Sequence, residues 1–221
     1  MKIFGVGMNY ALHTQELDGI WTVPPTPQTA PAIFLKPDSA LLKNGKPFFV
    51  PDWAGRVDYE AELVVRICRL GKSIPERFAH RYWDAVTVGI DFTARDMQDS
   101  ARRQGLPWTV SKGFDGSAAI GRWGEKSELR VESLEMRDES LELREPLPFH
   151  LDVNGVTVQQ GVSTDMLCSV DALISYISRF FTLRTGDLIF TGTPAGVGPV
   201  RPGDHLQGYL RDDCVLDFFC R

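Results

Sequence analysis

Three acids, Asp58, Glu60 and Glu62, stand at alternate positions in the stretch VDYEAELVV, residues 57–65. Successive side chains of an extended chain point to opposite faces. The spacing therefore predicts three carboxylates on one face and Tyr59, Ala61, Leu63 and Val65 on the other. Val64 and Val65 make the run apolar on both faces, the pattern of a buried strand. Two readings are open. A half-exposed strand leaves its acids in water. A buried one crowds carboxylates that repel one another and must be protonated, paired or bound to a cation. A hard divalent cation held by oxygens is one solution.

Other residues could complete such a site. Asp91, in GIDFTARDMQ, ends a strand pattern just before a helix, as a further ligand or as a plain turn acid. Arg95 and Gln98 lie three apart and project from one face of that helix, in reach of a substrate carboxylate. A surface salt bridge is the commoner fate of such an arginine. The neighbouring pair Arg102–Arg103 reads as a solvated helix face rather than a phosphate clamp. His13 and Glu16, in HTQE, have the spacing at which a carboxylate orients an imidazole as general base, although exposed His–Glu neighbours are frequent. Lys112, in VSKGFDG, is either solvent-exposed or placed to stabilise developing negative charge. TGTPAGVG (191–198) offers backbone N–H groups and the hydroxyls of Thr191 and Thr193, as a carboxylate cradle or a tight turn. It lacks the G-K-[ST] ending of a Walker loop.

The elements that must position these residues are legible in outline. Strands are predicted at 2–7, 32–37, 47–51, 57–68 and 85–92. Helices are predicted at 9–17 from Asn9, at 74–86 with Pro75 near its start, and at 93–105. For the last, Thr93 and Asp96 have capping-box spacing and Gly105 is the stop. Residues 126–145 read as an exposed strand pair and 150–161 as a hairpin turning at Asn154–Gly155. The segment 169–183 is an amphipathic helix with Val170, Leu173, Ile174, Ile177 and Phe181 on one stripe. A strand then runs into the glycine-rich turn, and two more strands close the chain. The Pro- and Thr-rich stretch 18–31, with Trp21, is irregular, and loops of that length are often functional lids. Many strands, few helices and no regular βαβ alternation predict an α+β, β-rich fold with mixed sheets.

Composition bounds the rest. A chain of 221 residues that is 43% hydrophobic can bury a substantial core as a single domain, 1–221. A net charge of −5 without a long Lys/Arg run argues against a nucleic-acid groove. Four cysteines without a C-x-x-C pair suit a reducing, cytoplasmic location. No stretch has signal-peptide or membrane-spanning character.

Taken in order, GMNYALHTQEL, PAIFLKP, DYEAELVV, GIDFTARDMQ, SKGFD, VNGVTVQQG, ISRFFTLRTGDLIFTGTPAGVG and PGDHL resemble the fumarylacetoacetate hydrolase family, over about residues 5–206. The resemblance implies a mixed-sheet β-sandwich roll, a homodimer, and a Mg2+ site formed by Glu60, Glu62 and Asp91, with Mn2+ or Ca2+ as other occupants. It implies that His13 and Glu16 activate water on a lid (14–31), that Lys112 stabilises charge, and that Arg95, Gln98 and Thr193 contact a small-molecule 2-oxo acid. The implied chemistry runs through an enolate stabilised by the cation. It is C–C hydrolysis of an acylpyruvate, or tautomerisation or decarboxylation of oxaloacetate. An isomerase or decarboxylase of an aromatic-degradation intermediate resembling 2-hydroxyhepta-2,4-diene-1,7-dioate, and a non-catalytic module that keeps the cation for structure, are the alternatives.

Overall fold

Apolar residues on both faces of one strand organise the protein, whose computed structural model describes residues 1–11, 30–42, 45–125 and 146–221. His13, Glu16, Trp21, nearly all of the expected lid and the expected strand pair at 126–145 lie outside the described residues.

That strand is β5 (Ala61–Ile67). Leu63, Val65 and Ile67 enter the main hydrophobic core, while Val64 joins a second cluster with Ile3, Ala118, Leu188 and Phe190. A sheet buried on both faces needs apolar residues at nearly every position, as Ala61–Ile67 supplies. β5 pairs antiparallel with β6 (Trp83–Asp91) on one side and β12 (Leu188–Phe190) on the other. β1 (Ile3–Gly7) runs parallel to β12, with β2 (Ala32–Lys36) antiparallel at its edge. Beyond β6 come β8 (Ala118–Ile120) and β3 (Leu41–Leu42), and β9 (Gly124–Glu125) pairs with the start of β6. The result is a mixed eight-stranded sheet.

A four-stranded antiparallel sheet lies against β6. Its order is β11 (Val156–Val162), β10 (Pro148–Val153), β14 (His205–Leu210), β15 (Asp213–Phe219). The expected hairpin joins β10 to β11. Asn154 (φ 54°) and Gly155 (φ 76°) both take the left-handed conformation that a two-residue turn of matching twist requires. Among the described residues the helices are few: α1 (Glu76–Ala79), α2 (Arg95–Gln104), α3 (Thr109–Lys112) and α4 (Val170–Phe180). None of the described helices is long and apolar enough to cross a membrane.

Local expectation fails where tertiary pairing competes with it. The run 57–68 is two strands. β4 (Val57–Tyr59) belongs to a small sheet with β7 (Thr93–Ala94) and β13 (Gly198–Pro199), and the break falls at Glu60. There the ladder is interrupted, because the Ala61 N–H donates to the Gln159 side chain at 2.8 Å. The helix expected over 74–86 shrinks to α1, because residues from Trp83 onward pair with β5. The expected strand at 47–51 is a single bridge from Phe48 to Cys220. The capping box is absent: Thr93 lies in β7, and the Asp96 carboxylate accepts from the Gly55 N–H at 3.0 Å. Gly105 ends α2 in the left-handed conformation, as expected. Most of the helix expected over 9–17 lies outside the described residues, which do include the side chain of Asn9. That side chain bonds the Cys168 and Thr191 carbonyls and accepts from Cys168 N.

α4 shows its amphipathic pattern realised. Ser169 caps it by accepting from Ala172 N, and Val170, Leu173, Ile174 and Ile177 are buried. Truncation of Ile177 to alanine is expected to cost about 2–5 kcal/mol in urea unfolding. Truncation of the exposed Phe180 should cost less than about 1 kcal/mol. Equal losses would show that α4 does not bury the face assigned to it.

Candidate active site

The antiparallel register of β5 and β6 assembles the acids. Ala61 pairs with Ile90 and Glu62 with Gly89, so Glu60 and Glu62 at the start of β5 meet Asp91 at the end of β6. Each of the three offers a carboxylate oxygen within 4.8 Å of the others. All are buried, Asp91 completely. Asp58 is not among them. β4 lies in another sheet, and the Asp58 carboxylate is clasped by Arg56 Nε at 2.7 Å and Arg95 Nε at 2.8 Å. The single face of three acids expected from alternation is therefore replaced by a group whose third member comes from the neighbouring strand.

Three cations surround the group. Lys112 Nζ donates to Glu60 Oε2 at 2.7 Å and Asp91 Oδ2 at 2.8 Å. Its position is not the exposed loop that the sequence left open: α3 carries it into the interior, at 3% exposure. Arg95 Nη2 donates to Glu60 Oε1 at 2.6 Å, and its Nη1 donates to Gln98 Oε1 at 2.6 Å. The third cation, Lys36 at the end of β2, was not singled out from the sequence. It pairs with Asp91 Oδ1 at 2.6 Å and donates to the Lys112 carbonyl and to the carbonyl (2.9 Å) and hydroxyl (3.1 Å) of Ser117. One ammonium thus ties the segment bearing Lys112 to Asp91. A lone lysine closing an apolar strand between Pro31 and Pro37 reads locally as a strand end. Only its burial marks it out.

Burial and charge set the protonation of the cluster. Burial first, then the Asp91 and Glu60 carboxylates, hold Glu62 well above the usual carboxylate range, against the pull of Lys112 and the Gly192 N–H. Burial acts to lower Lys112 as well, but Asp91 and Glu60 outweigh it and keep Lys112 above the ordinary lysine range. Lys36 faces Asp91 with Lys112 close by, and burial prevails, lowering it. Arg95 is raised, because Glu60 and Asp58 overcome its burial.

The glycine-rich turn closes the site from the far side. Gly192 N donates to Glu62 Oε2 at 2.6 Å. Only glycine fits there, since φ is +104° and a Cβ would stand 2.7 Å from Asn9 Cβ. Thr193 lines the cleft, with its hydroxyl donating to the Ala61 carbonyl at 2.9 Å and accepting from Gln159 Nε2 at 2.8 Å. Gln159, also missed in the sequence, thereby fixes both Thr193 and the N–H of Ala61. The cleft is partly open to solvent, with a volume of about 40 Å³, and its lining includes Phe34, Trp108 and Arg102 beside these polar groups. Arg102 is not the solvated residue expected. Its side chain is 14% exposed and faces the cleft, whereas Arg103 is exposed.

The donor set suits a hard divalent cation, since three carboxylates converge and, among the described residues, no sulfur or imidazole joins them. Asp91 is held in the group through both of its oxygens, Oδ1 by Lys36 at 2.6 Å and Oδ2 by Lys112 at 2.8 Å.

Comparison with known proteins gives a consistent picture. The family description "Fumarylacetoacetate (FAA) hydrolase C-terminal" matches residues 2–212. The mitochondrial oxaloacetate tautomerase FAHD1 of Arabidopsis thaliana is 40% identical over 205 residues, covering 93% of this chain and 84% of that protein. The crystal structure of fumarylpyruvate hydrolase from Pseudomonas aeruginosa in complex with Mn2+ and pyruvate superposes with a TM-score of 0.84 at 33% identity, over 100% of this chain and 89% of the other. The 2-hydroxyhepta-2,4-diene-1,7-dioate isomerase of Mycobacterium marinum gives 0.78 at 31% identity, over 99% of this chain and 73% of the other.

Two predictions arise from the electrostatics. Glu62 must lose a proton before its carboxylate can hold a cation, so Mn2+ binding should release protons and tighten with pH, up to about tenfold per unit below the raised Glu62 pKa. Calorimetry in two buffers of different ionisation enthalpy reads both effects, and a pH-independent affinity would refute the assignment. Without the cation, stability should fall as pH rises above the ordinary glutamate range, where the unfolded chain gives up a proton that folded Glu62 keeps. Separately, Lys36→Met strands Asp91 and two carbonyls and should cost about 3–5 kcal/mol in denaturant unfolding. A loss under about 1 kcal/mol would show that Lys36 is not the tie described.

Proposed function

This chain belongs to the fumarylacetoacetate hydrolase family, a family of enzymes, and from that premise we propose that it acts on 2-oxo acids through an enolate with the aid of a divalent cation. The reaction is hydrolysis of a C–C bond in an acylpyruvate, or tautomerisation or decarboxylation of oxaloacetate. Glu60, Glu62 and Asp91 hold the cation in this reading. Mg2+ as the native ion and a homodimer as the working form belong to the same proposal. A monomer by light scattering would remove the latter.

The observation that carries the reading is the charge balance of the buried cluster. Lys36, Lys112 and Arg95 pair with Glu60 and Asp91, and Glu62, once a bound cation has displaced its proton, brings the acids to three against three. With a divalent cation held there, the cluster has a surplus of two positive charges. A 2-oxo acid supplies one negative charge from its carboxylate and a second as its keto oxygen becomes an enolate. A neutral ketone would leave the surplus uncancelled in a buried place. The cation, when bound, supplies Lewis-acid stabilisation of negative charge on substrate oxygens.

The chain's own groups do the rest. Lys112 keeps its proton and presents a fixed ammonium at the inner end of the cleft, beneath which the Phe34 ring lies 5.1 Å away. That charge favours electron density arriving on a neighbouring substrate oxygen. Arg95 is held on three sides by Asp58, Glu60 and Gln98, so it offers a rigid frame for the substrate carboxylate. Thr193 borders the same space. His13 and Glu16 move the proton. They deprotonate the water that attacks the distal carbonyl in hydrolysis, or shuttle the proton at C3 in tautomerisation. The two outcomes share an enolate and differ in whether water reaches the distal carbonyl. The likeness to a dienedioate isomerase supports a second reading in the same chemistry, in which the enolate is reprotonated at a conjugated carbon.

The test is a turnover panel of acetylpyruvate, fumarylpyruvate, enol-oxaloacetate and 2-hydroxyhepta-2,4-diene-1,7-dioate, with EDTA and with Mg2+ or Mn2+ restored. Activity should vanish with chelator and return with either ion. Glu60→Gln should abolish it, and His13→Ala should lower it by about 10²- to 10⁴-fold. Full activity in verified metal-free protein would overturn the cation role, and no turnover of any of the four would favour the binding module.

A further inference from the structure

Gln159 and Gln160 are neighbours in β11, yet Gln160 is exposed and Gln159 is buried, at 1% exposure. A bulge accounts for the way the buried amide reaches the acid cluster. Leu151 pairs with Gln159 and Asp152 with Thr157, so Val158 is the extra residue of β11. Such a residue bends its strand and re-aims the side chain beside it. The glycine-rich turn packs onto the bulge so closely that a Cβ at Gly196 would collide with the Val158 carbonyl. The Gln159 amide then engages both strand and turn. Its Oε1 accepts from the Ala61 N–H at 2.8 Å, and its Nε2 donates to Thr193 Oγ1 at 2.8 Å and to the Pro194 carbonyl at 2.9 Å. Thr193 closes the ring by donating to the Ala61 carbonyl at 2.9 Å. Ala61 separates Glu60 from Glu62, and Thr193 follows Gly192, whose N–H donates to the Glu62 carboxylate at 2.6 Å. Both sides of that last bond are therefore tied to one amide. Glu60 and Asp91 are held instead by ion pairs with Arg95, Lys112 and Lys36.

We propose that Gln159 is a positioning residue: with Thr193 it clasps the start of β5 to the glycine-rich turn and so places the Glu62 carboxylate for a divalent cation. The inference rests on the cation role proposed above. Gln159 is not among the residues that line the cleft, so it acts through Ala61 and Thr193 rather than on the cation or the substrate. A ligand set works only when its donors are held to about 0.5 Å, and the groups that hydrogen-bond a ligand and its backbone supply that precision. Ala61 contributes one donor and one acceptor to the ring, and the Thr193 hydroxyl contributes one of each. Loss of either side chain leaves buried polar groups unsatisfied and lets strand and turn slide apart. Glu60 keeps its ion pairs when that happens, so the misplacement falls on Glu62.

The experiment reads Mn2+ affinity by calorimetry, without substrate and at one fixed pH, in wild type, Gln159→Met, Thr193→Val, Thr193→Ser and the double variant Gln159→Met/Thr193→Val. Ile177→Ala, in the core of α4, serves as the control for lost stability alone, and thermal unfolding fixes a temperature at which every variant is folded. Gln159→Met and Thr193→Val should each weaken Mn2+ binding by about 10- to 100-fold. The double variant should lie within about threefold of the weaker single one, because both changes open the same ring. Thr193→Ser, which keeps the hydroxyl, should bind Mn2+ nearly as wild type does, and so should Ile177→Ala. Should Gln159→Met fail to fold, Thr193→Val against Thr193→Ser decides the matter. Wild-type affinity in Gln159→Met or Thr193→Val, losses that multiply in the double variant, or an equal loss in Ile177→Ala would overturn the clasp while leaving the proposed function standing. A wild-type protein that binds no Mn2+ would sink the cation role and this inference together.

Discussion

Three carboxylates inside a protein are tolerable only if something nearby is positive, and that requirement governs the centre of this structure. Isolated buried ions are costly, and removing one partner of a buried pair leaves the other uncompensated. Glu60 and Asp91 are therefore met by Lys36, Lys112 and Arg95, each drawn from a different element: the end of β2, the single turn of α3 and the start of α2, while Glu62 accepts from the Gly192 N–H and is held toward its protonated form. Such a network is better suited to its task than to stability. Well-packed apolar residues in the same volume would hold the fold at least as firmly. What the network provides is a fixed array of charge, organised before substrate arrives.

The β framework exists to present that array. β5 and β6 are almost wholly buried strands of the large sheet, and the charged residues stand at or beside their ends. The break at Glu60 is part of the same design. With the N–H of Ala61 bonded to Gln159 and the Asp91 N–H donating to the Glu60 carbonyl, the chain leaves one sheet and enters another at the residue whose carboxylate must face Lys112 and Arg95. Gly192 and Asn9 pack closely behind Glu62. The close approach of their backbones leaves room for an N–H aimed at Glu62 and for nothing larger. Rigid elements thus position every described polar group of the inner cleft. The rest of the cleft is lined differently, by Phe34, Trp108 and Arg102.

Much of this was legible in residue order, because the signals are local. The apolar run after Glu62, the left-handed turn at Asn154–Gly155, the stripe of α4 and the glycine stop of α2 are written within a few residues each, and all appear in the structure. Asp58, Glu60 and Glu62 stood out because carboxylates in a strand pattern are chemically out of place, while the grouping of Glu60 and Glu62 with Asp91 came from the family resemblance. The misses have a common cause. Asp58 looked equivalent to Glu60 because period-two alternation assumes one continuous strand, and only the pairing of β4 with β7 reveals the break. Lys36 and Gln159 look ordinary in their own segments. They become central through partners between 34 and 98 residues away in sequence.

What the amino-acid order determined by itself was the type of chemistry: hard oxygen ligands, a lysine and arginines, and short periodic segments able to hold them in a β-rich frame. What only the tertiary structure decided was which charges meet. The burial of Lys36, the exclusion of Asp58 from the acid group and the turning of Arg102 into the cleft are all outcomes of strands and helices packing on one another. The physical reason is that propensity and periodicity act over a few residues, whereas the cost of a buried charge is settled by whatever stands within a few ångströms, however distant it is along the chain.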